Sequence, residues 1–362
     1  VELAKKSHNG KIEFKSNHSI LGSELQIKQF SAEGFYWTPR TNEINTSIYG
    51  YWKNELNLYD IMSSMRIGFI SIQPQKPFMK FSNLDSDMVI NKQFSYYSTS
   101  IGIKRQLNHF EFGSWIMNTM RAPALEELYS DGPHLGTYSY EIGNPTLELE
   151  KLYGIESSIK YSNSPFITSL TTFYNYSPYY FQMNKIGECS GEFKEGEDHP
   201  CAGADFIEWG SGSTGWLYKY QIEATKAILK GLEFRLVYNF KRLKVIYDFS
   251  LVRGDNMIDK TPLSYINPDK HIFMINYGNE ITKNTIRFSK VEAQNRLGEF
   301  ETYTPSSFLV DYIFSYKKRN QNISIQINNI FNEKYYNHLS RIKSIMPEPG
   351  RNISLNYKFI LF

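Results

Sequence analysis

Cysteine is almost missing from this chain, with two in 362 residues, which excludes a small scaffold held together by disulfides. Long apolar runs are missing too, and no stretch approaches the roughly 18 residues that a membrane helix needs. Charge of one sign is never in large excess: 40 Lys and Arg face 37 Asp and Glu, a formal net charge of +3. That balance gives no electrostatic footprint for nucleic acid. Gly-rich phosphate loops and DNA-reading motifs are absent. No nucleophile, base and acid stand in a recognisable set, so nothing supports an enzyme. Position 1 is Val, not Met, and no signal peptide precedes it, so the chain is expected to be a fragment or a processed product.

Aromatics, in contrast, are plentiful: 27 Tyr and 25 Phe bring the aromatic share to 16%. They fall into period-two patterns, the signature of strands. Phe234, Leu236, Tyr238 and Phe240 alternate with Glu233, Arg235, Val237 and Asn239. Phe308, Val310, Tyr312, Phe314 and Tyr316 repeat the pattern, as does the closing Ile353-Ser354-Leu355-Asn356-Tyr357-Lys358-Phe359. Such alternation fits a soluble β-sandwich, with apolar faces in a core, or a membrane barrel, with those faces on lipid.

The links between strands separate the two. Short links fall near residues 16, 56, 107, 163, 241, 282 and 318. Long ones fall at about 31–43, 73–92, 121–149, 186–215, 253–269, 291–306 and 331–349. Short and long take turns throughout, as periplasmic turns and extracellular loops do in outer-membrane barrels. A Greek-key sandwich has no reason to keep that order. The reading is therefore all-β: a transmembrane antiparallel β-barrel occupying 1–362, with roughly fifteen strands long enough to cross a bilayer. Single-chain bacterial barrels have even strand numbers, and open edges are not tolerated in hydrocarbon. An amino-terminal part is thus expected to lie outside this chain.

Three motifs resemble the TonB-dependent outer-membrane receptors. Arg121-Ala122-Pro123-Ala124-Leu125-Glu126-Glu127-Leu128-Tyr129, followed by Tyr140 to Glu150, is similar to their central barrel signature. Asn328-Asn329-Ile330-Phe331-Asn332, with Tyr335 and then Pro349-Gly350-Arg351-Asn352, resembles their carboxy-terminal one. Gly231-Leu232-Glu233 is a weaker third. The resemblance implies a barrel of about twenty-two strands with a plugged lumen, the plug and the TonB box lying outside this chain. It implies energised uptake of a scarce nutrient across the bacterial outer membrane, with the TonB system as partner. The barrel-assembly machinery would read the last strand, at Phe359 or at Phe362, because Ile360-Leu361-Phe362 runs beyond the usual aromatic ending. A passive porin or an adhesin-like barrel is the alternative. Gly132 to Thr137 before Tyr140-Glu141, Phe30 to Gly34 before Thr38-Pro39, and Asn337-His338-Leu339-Ser340 before Lys343 resemble the subgroup that includes zinc-uptake receptors. That subgroup's His-rich loop is missing. The transported ligand is open between zinc and an iron chelate, with no covalent cofactor expected.

Candidate ligand residues follow from chemistry. Cys189 and Cys201 share one expected extracellular loop, where an oxidising medium favours a bridge worth about 3 kcal/mol in the chain-entropy model. The same loop is acidic, and Glu197, Asp198 and His199 offer nitrogen and oxygen ligands to zinc. A loop kept soluble by its charges is the bland alternative. His134, Glu141 and His338 lie on other long loops and join the set only if the fold brings them together. Asn329, Phe331, Pro349, Gly350 and Arg351 have local reasons as turn formers and strand starters.

Overall fold

The computed structural model describes residues 2–33, 38–75, 84, 86–134, 139–186, 206–208, 216–299, 301–343 and 346–360. Six long strands open the chain: β1 Glu2–Lys15, β2 Ser19–Glu33, β3 Thr41–Glu55, β4 Asp60–Pro74, β5 Lys92–Leu107 and β6 Phe110–Arg121. A five-residue helix α1, Leu125–Tyr129, and a small hairpin, β7 Asp131–His134 with β8 Ser139–Ile142, follow. The wall resumes with β9 Glu150–Asn163, β10 Phe166–Lys185, the three-residue β11 Phe206–Glu208 and β12 Trp216–Phe240. It ends with β13 Leu243–Asn256, β14 Lys270–Gly278, β15 Thr282–Val291, β16 Ser307–Lys318, β17 Gln321–Asn328 and β18 Asn352–Phe359. Setting aside short β7, β8 and β11, fifteen strands pair in chain order, every pairing antiparallel. The sequence-based strand count and the alternating link lengths both hold.

The pleat divides every strand into two environments. On β18, Ile353, Leu355, Tyr357 and Phe359 stand on one side, exposed by 68, 68, 60 and 48%. Across the wall, Ile12, Phe14, Ile48, Trp52, Ile67, Ile101 and Ile116 are exposed in the same way. A continuous apolar surface of this size belongs against lipid, not water. Aromatics gather on it by the short turns: Phe110 lies 4.9 Å from Tyr161, and Phe166 lies 5.1 Å from Tyr238, centroid to centroid. That is where an interfacial girdle sits.

The opposite face is polar and laced across strands. Lys28 meets Glu43 at 2.7 Å, Arg66 meets Glu24 at 3.1 Å, and Arg287 meets Asp311 at 2.6 Å. Arg235 and Asp248, facing each other in register, pair at 3.2 Å. Where the inner face does turn apolar, at the long-loop end, it has a partner. Ile70 and Ile72 of β4 pack with Leu125, Leu128 and Tyr129 of α1 and with Phe181 of β10.

Two local features set the wall's shape. In β10 the register slips between Ser177 and Tyr180 against β12 and between Tyr176 and Tyr179 against β9. Pro178 lies within that step and has no N–H to give the ladder, so a bulge is the natural relief. At the carboxy terminus the ladder stops at Phe359, opposite Gln321, and the Ile360 amide donates to the Asn320 carbonyl. Phe359 is thus the last aromatic of the described strand, in line with Tyr357. Phe362 lies outside the described residues.

Candidate ligand passage beneath the long loops

The loop after β6 folds back into the barrel interior, and the central signature holds it there. Arg121, the last residue of β6, grips Glu127 with both terminal nitrogens, at 2.8 and 3.1 Å, and Glu150 through Nε at 2.6 Å. Glu127 also accepts the Ala124 amide at 2.7 Å, closing the first turn of α1 from within. Its own carbonyl accepts the Asn144 amide at 2.8 Å. Gly143 passes so close that a Cβ there would lie 2.4 Å from the Leu128 carbonyl carbon, which explains glycine at this position. Leu128 is fully buried, and burial of such a side chain contributes about 1.5–3 kcal/mol. The Tyr129 hydroxyl donates to the Ile90 carbonyl at 2.6 Å, and burial holds its proton well above the ordinary phenol range.

β8 lies on the edge of β12 opposite to β10, ahead of where β13 begins, and pairs in parallel with the start of β12, Tyr218 opposite Ser139 and Gln221 opposite Ile142. This places Glu141 in the interior, where it accepts from Ser139 Oγ at 3.0 Å and from Arg341 Nη1 at 3.1 Å. The Arg341 guanidinium also lies over the Tyr265 ring at 5.1 Å. The Tyr265 amide donates to Glu301 at 2.7 Å, and the Gly298 amide donates to the same carboxylate at 2.8 Å. Glu301 contacts His338 Nε2 at 2.9 Å, off the line of a straight hydrogen bond. On the other side of that ring, Nδ1 meets Thr304 Oγ1 at 2.8 Å and Lys343 Nζ at 3.2 Å. Burial pushes the Glu301 carboxyl up, but His338 and the Gly298 and Tyr265 amides outweigh it and hold the group below its ordinary range. Burial lowers the Lys343 ammonium, a drop that Glu301 only partly offsets. Four long loops are joined in one polar chain: Glu141, Arg341, Tyr265, Glu301, His338.

Of the sequence candidates, Glu141 and His338 enter this network, each already engaged within the protein. His338 is 3% exposed and has a contact at both ring nitrogens, so as placed it offers no free lone pair. His134 pairs through its backbone with Ser139. Cys189, Glu197, Asp198, His199 and Cys201 lie outside the described residues. Among the described residues, no group of three His, Cys, Asp or Glu stands at metal-holding distance. Sequence reasoning missed Arg341, Tyr265 and Glu301. Nothing in their local sequence announces them, since each acquires its role from a loop remote in the chain.

The carboxy-terminal signature forms a turn clamp. Asn329 is buried and left-handed, with φ 51°. Its side chain exchanges two 2.8 Å bonds with the Glu333 backbone, and its amide donates to Asp311. Asn332 Oδ1 accepts the Arg351 amide at 2.9 Å, with Gly350 leaving room beside it. The Arg351 guanidinium reaches the Ile330 carbonyl at 3.4 Å and has no carboxylate partner among the described residues. Pro349 leads into this turn, and Phe331 is exposed.

Two cavities flank α1. One, of about 460 Å³, is lined by Lys28, Glu43, Tyr96 and Arg121. The other, of about 500 Å³, is lined by Glu141, Met183, Tyr220, Tyr265 and Arg341. Glu126 faces both, so the helix divides the space beneath the long loops.

Comparison with known proteins agrees with this architecture. The fold is similar to that of the copper transporter OprC, with a TM-score of 0.79 at 15% identity over 99% of this chain and 58% of that one. It is similar to the FrpB iron transporter from Neisseria meningitidis (F3-3 variant), with 0.66 at 13% over 99% and 55%. It also resembles the siderophore receptor PirA from Acinetobacter baumannii, with 0.65 at 13% over 99% and 62%. The chain therefore spans about six-tenths of the length of these solved relatives. The family model described as TonB dependent receptor-like, beta-barrel, matches residues 87–332, about two-thirds of the sequence. The chain belongs to this TonB-dependent receptor-like β-barrel family, whose members are bacterial outer-membrane transporters and receptors and not enzymes.

Proposed function

We propose that this chain is the barrel part of an outer-membrane receptor that imports a scarce nutrient, a metal ion or a metal chelate, with energy delivered through TonB. The observation that carries the reading is α1, folded inward between two cavities and tied to the wall through Arg121, Glu127 and Glu150. Ordered chain in the passage suits a ligand that is held and then released, whereas a passive porin needs an open lumen. The copper, iron and siderophore proteins that share the fold support a metal or chelate as the class. Zinc belongs to that class and rests on the subgroup resemblance of Gly132 to Thr137 and Asn337 to Ser340.

With Glu141 and His338 engaged inside the protein, His134, Glu197, Asp198 and His199 are the proposed loop contacts for ligand. A bridge between Cys189 and Cys201 is proposed to pin that loop, and mass spectrometry of unreduced peptides would find them joined. Uptake of radiolabelled zinc, copper and a ferric siderophore, in cells with and without the receptor and TonB, tests the main reading. Accumulation of one of them that needs both proteins is expected. Uptake indifferent to TonB, or equal passage of unrelated sugars, would favour the passive barrel.

A further inference from the structure

The lipid-facing side of the wall carries a cation that no carboxylate offsets. Gly231 lies under the Phe173 ring, and Glu233 and Arg235 line the inner face, so Lys230, of opposite parity on β12, points outward. Its direct neighbours across the two ladders are Tyr174 of β10 and Arg253 of β13. Facing residues of this kind have Cβ atoms about 4.5–5.5 Å apart. Tyr176, next on the same face of β10, stands opposite Tyr153 of β9, about 7 Å further along the strands. Tyr153, Tyr174 and Tyr176 are exposed by 45, 44 and 37%. β9, β10, β12 and β13 are each paired on both edges, and this face looks away from the lumen, so nothing held in the passage reaches it.

Depth in the membrane follows from position along the strand. Phe240 stands at the short-turn end of β12, and Lys230 is ten residues above it. At about 3.4 Å per residue and a tilt of about 35–45° the rise is roughly 24–28 Å, close to the ~25 Å apolar band of an outer-membrane barrel. The patch therefore stands at the upper, extracellular edge of that band, level with lipid headgroups. Its donors are open. Among the described residues Lys230 has no ion pair and the three tyrosine hydroxyls have no hydrogen bond, whereas outward Tyr247 and Tyr312 engage His271 and Asn284 at 2.9 and 2.7 Å. Arg253 grips Asp269 at 2.6 and 2.8 Å and bonds the Val252 carbonyl, which occupies three of its five N–H donors. Asp255, two residues on, is held by Arg296. Lys230 and Arg253 face each other as like charges, a destabilising arrangement that Asp269 relieves on the Arg253 side alone.

We infer that Lys230, Arg253 and the hydroxyls of Tyr153, Tyr174 and Tyr176 bind the phosphate monoester of a glycolipid in the outer leaflet. A phosphate monoester carries about −1.5 to −2 charge and three strong acceptor oxygens. That suits one free ammonium, two open guanidinium N–H groups and phenolic donors on a shelf of rings. A phosphodiester headgroup, with a single charge, is the poorer match. A girdle of tyrosines with a snorkelling lysine accounts for depth alone, and that role needs no hydroxyl at Tyr174. The inference stands apart from what the receptor imports, because the lipid face takes no part in the passage.

The full receptor in phosphatidylcholine nanodiscs, titrated with diphosphoryl lipid A and read by native mass spectrometry, provides the test. One lipid A held per receptor is expected, in preference to phosphatidylglycerol. Lys230→Gln should weaken that binding roughly ten-fold, the loss of one charge-assisted contact, and Lys230→Arg should keep most of it. Tyr174→Phe with Tyr176→Phe keeps the rings and should still weaken binding about three-fold. Lys290→Gln removes another outward lysine, opposite exposed Phe308, and should change nothing. Phosphatidylglycerol bound as well as lipid A, no lipid A retained, or equal retention by all variants would overturn the inference. So would a loss in Lys290→Gln as large as in Lys230→Gln, because diffuse charge would then account for the binding.

Discussion

Arg341 and Glu141 are 200 residues apart in the chain, yet the guanidinium of one donates to the carboxylate of the other at 3.1 Å. The pair ties the last long loop to β8 and closes one side of the larger cavity. Its side chains are 28 and 10% exposed, so solvent screens it only in part. Arg341→Ala leaves a mostly buried carboxylate without its cation, at a cost of about 1–2 kcal/mol to local opening. Faster proteolysis and amide exchange of residues 329–343 are expected, with Glu141→Gln recovering part of the loss in a double-mutant cycle. Unchanged exchange would show that the loop is held by other contacts.

The Glu301 node carries a pH dependence with a definite sign. Its folded carboxyl is held below the ordinary range, so the stabilisation is complete above the unfolded value of about 4.3. It is lost as pH falls from there through the lower folded value. Protection of the 292–306 loop, measured as exchange relative to the intrinsic rate at each pH, should be flat between neutral pH and about 5 and fall in acid below about 4. Glu301→Gln should flatten the acid limb. Loss of protection already near neutrality would show that Glu301 is not the group responsible.

Asn329 combines a left-handed backbone with two side-chain bonds to Glu333. Asn329→Ala loses the bonds and keeps the strain, for about 2–3 kcal/mol. Asn329→Gly loses the bonds and relieves the strain, so it should cost less. Thermal unfolding of the two variants in detergent would rank them, and the reverse order would refute the clamp.

Leu355 and Ser354 are neighbours on opposite faces of β18. Leu355→Arg puts a charge on the lipid side, at about 2–4 kcal/mol near the bilayer midplane, whereas Ser354→Arg faces the lumen and should cost far less. Folded fractions on semi-native gels after refolding into vesicles would measure both.

Phe359, in register with Gln321, is the proposed assembly signal. Phe359→Ala should lower assembled receptor several-fold, while removing Ile360, Leu361 and Phe362 should leave it near normal. The opposite pattern would make Phe362 the residue recognised.

How much of this was legible beforehand depends on range. Alternation along Phe308 to Tyr316 or Ile353 to Phe359 is local, because the pleat assigns alternate residues to opposite faces whatever the neighbouring strand is. Link lengths are equally local, so strand count and rim polarity could be read from the chain. Arg121 with Glu127 was visible as a motif, though not as a clasp on an inward-folded helix. Ion pairs between remote loops were invisible: Arg341 sits in an ordinary polar stretch, and only the curvature of the wall brings Glu141 to it.

The sequence by itself determined an outer-membrane barrel wall, its two rims and its lipid face, since these follow from a period of two and from where turns are short. Only the tertiary structure decided that Glu141 and His338 are engaged in a loop network and that α1 divides the passage. Those are facts of proximity between segments far apart in the chain, set by how neighbouring strands register and how far each loop reaches.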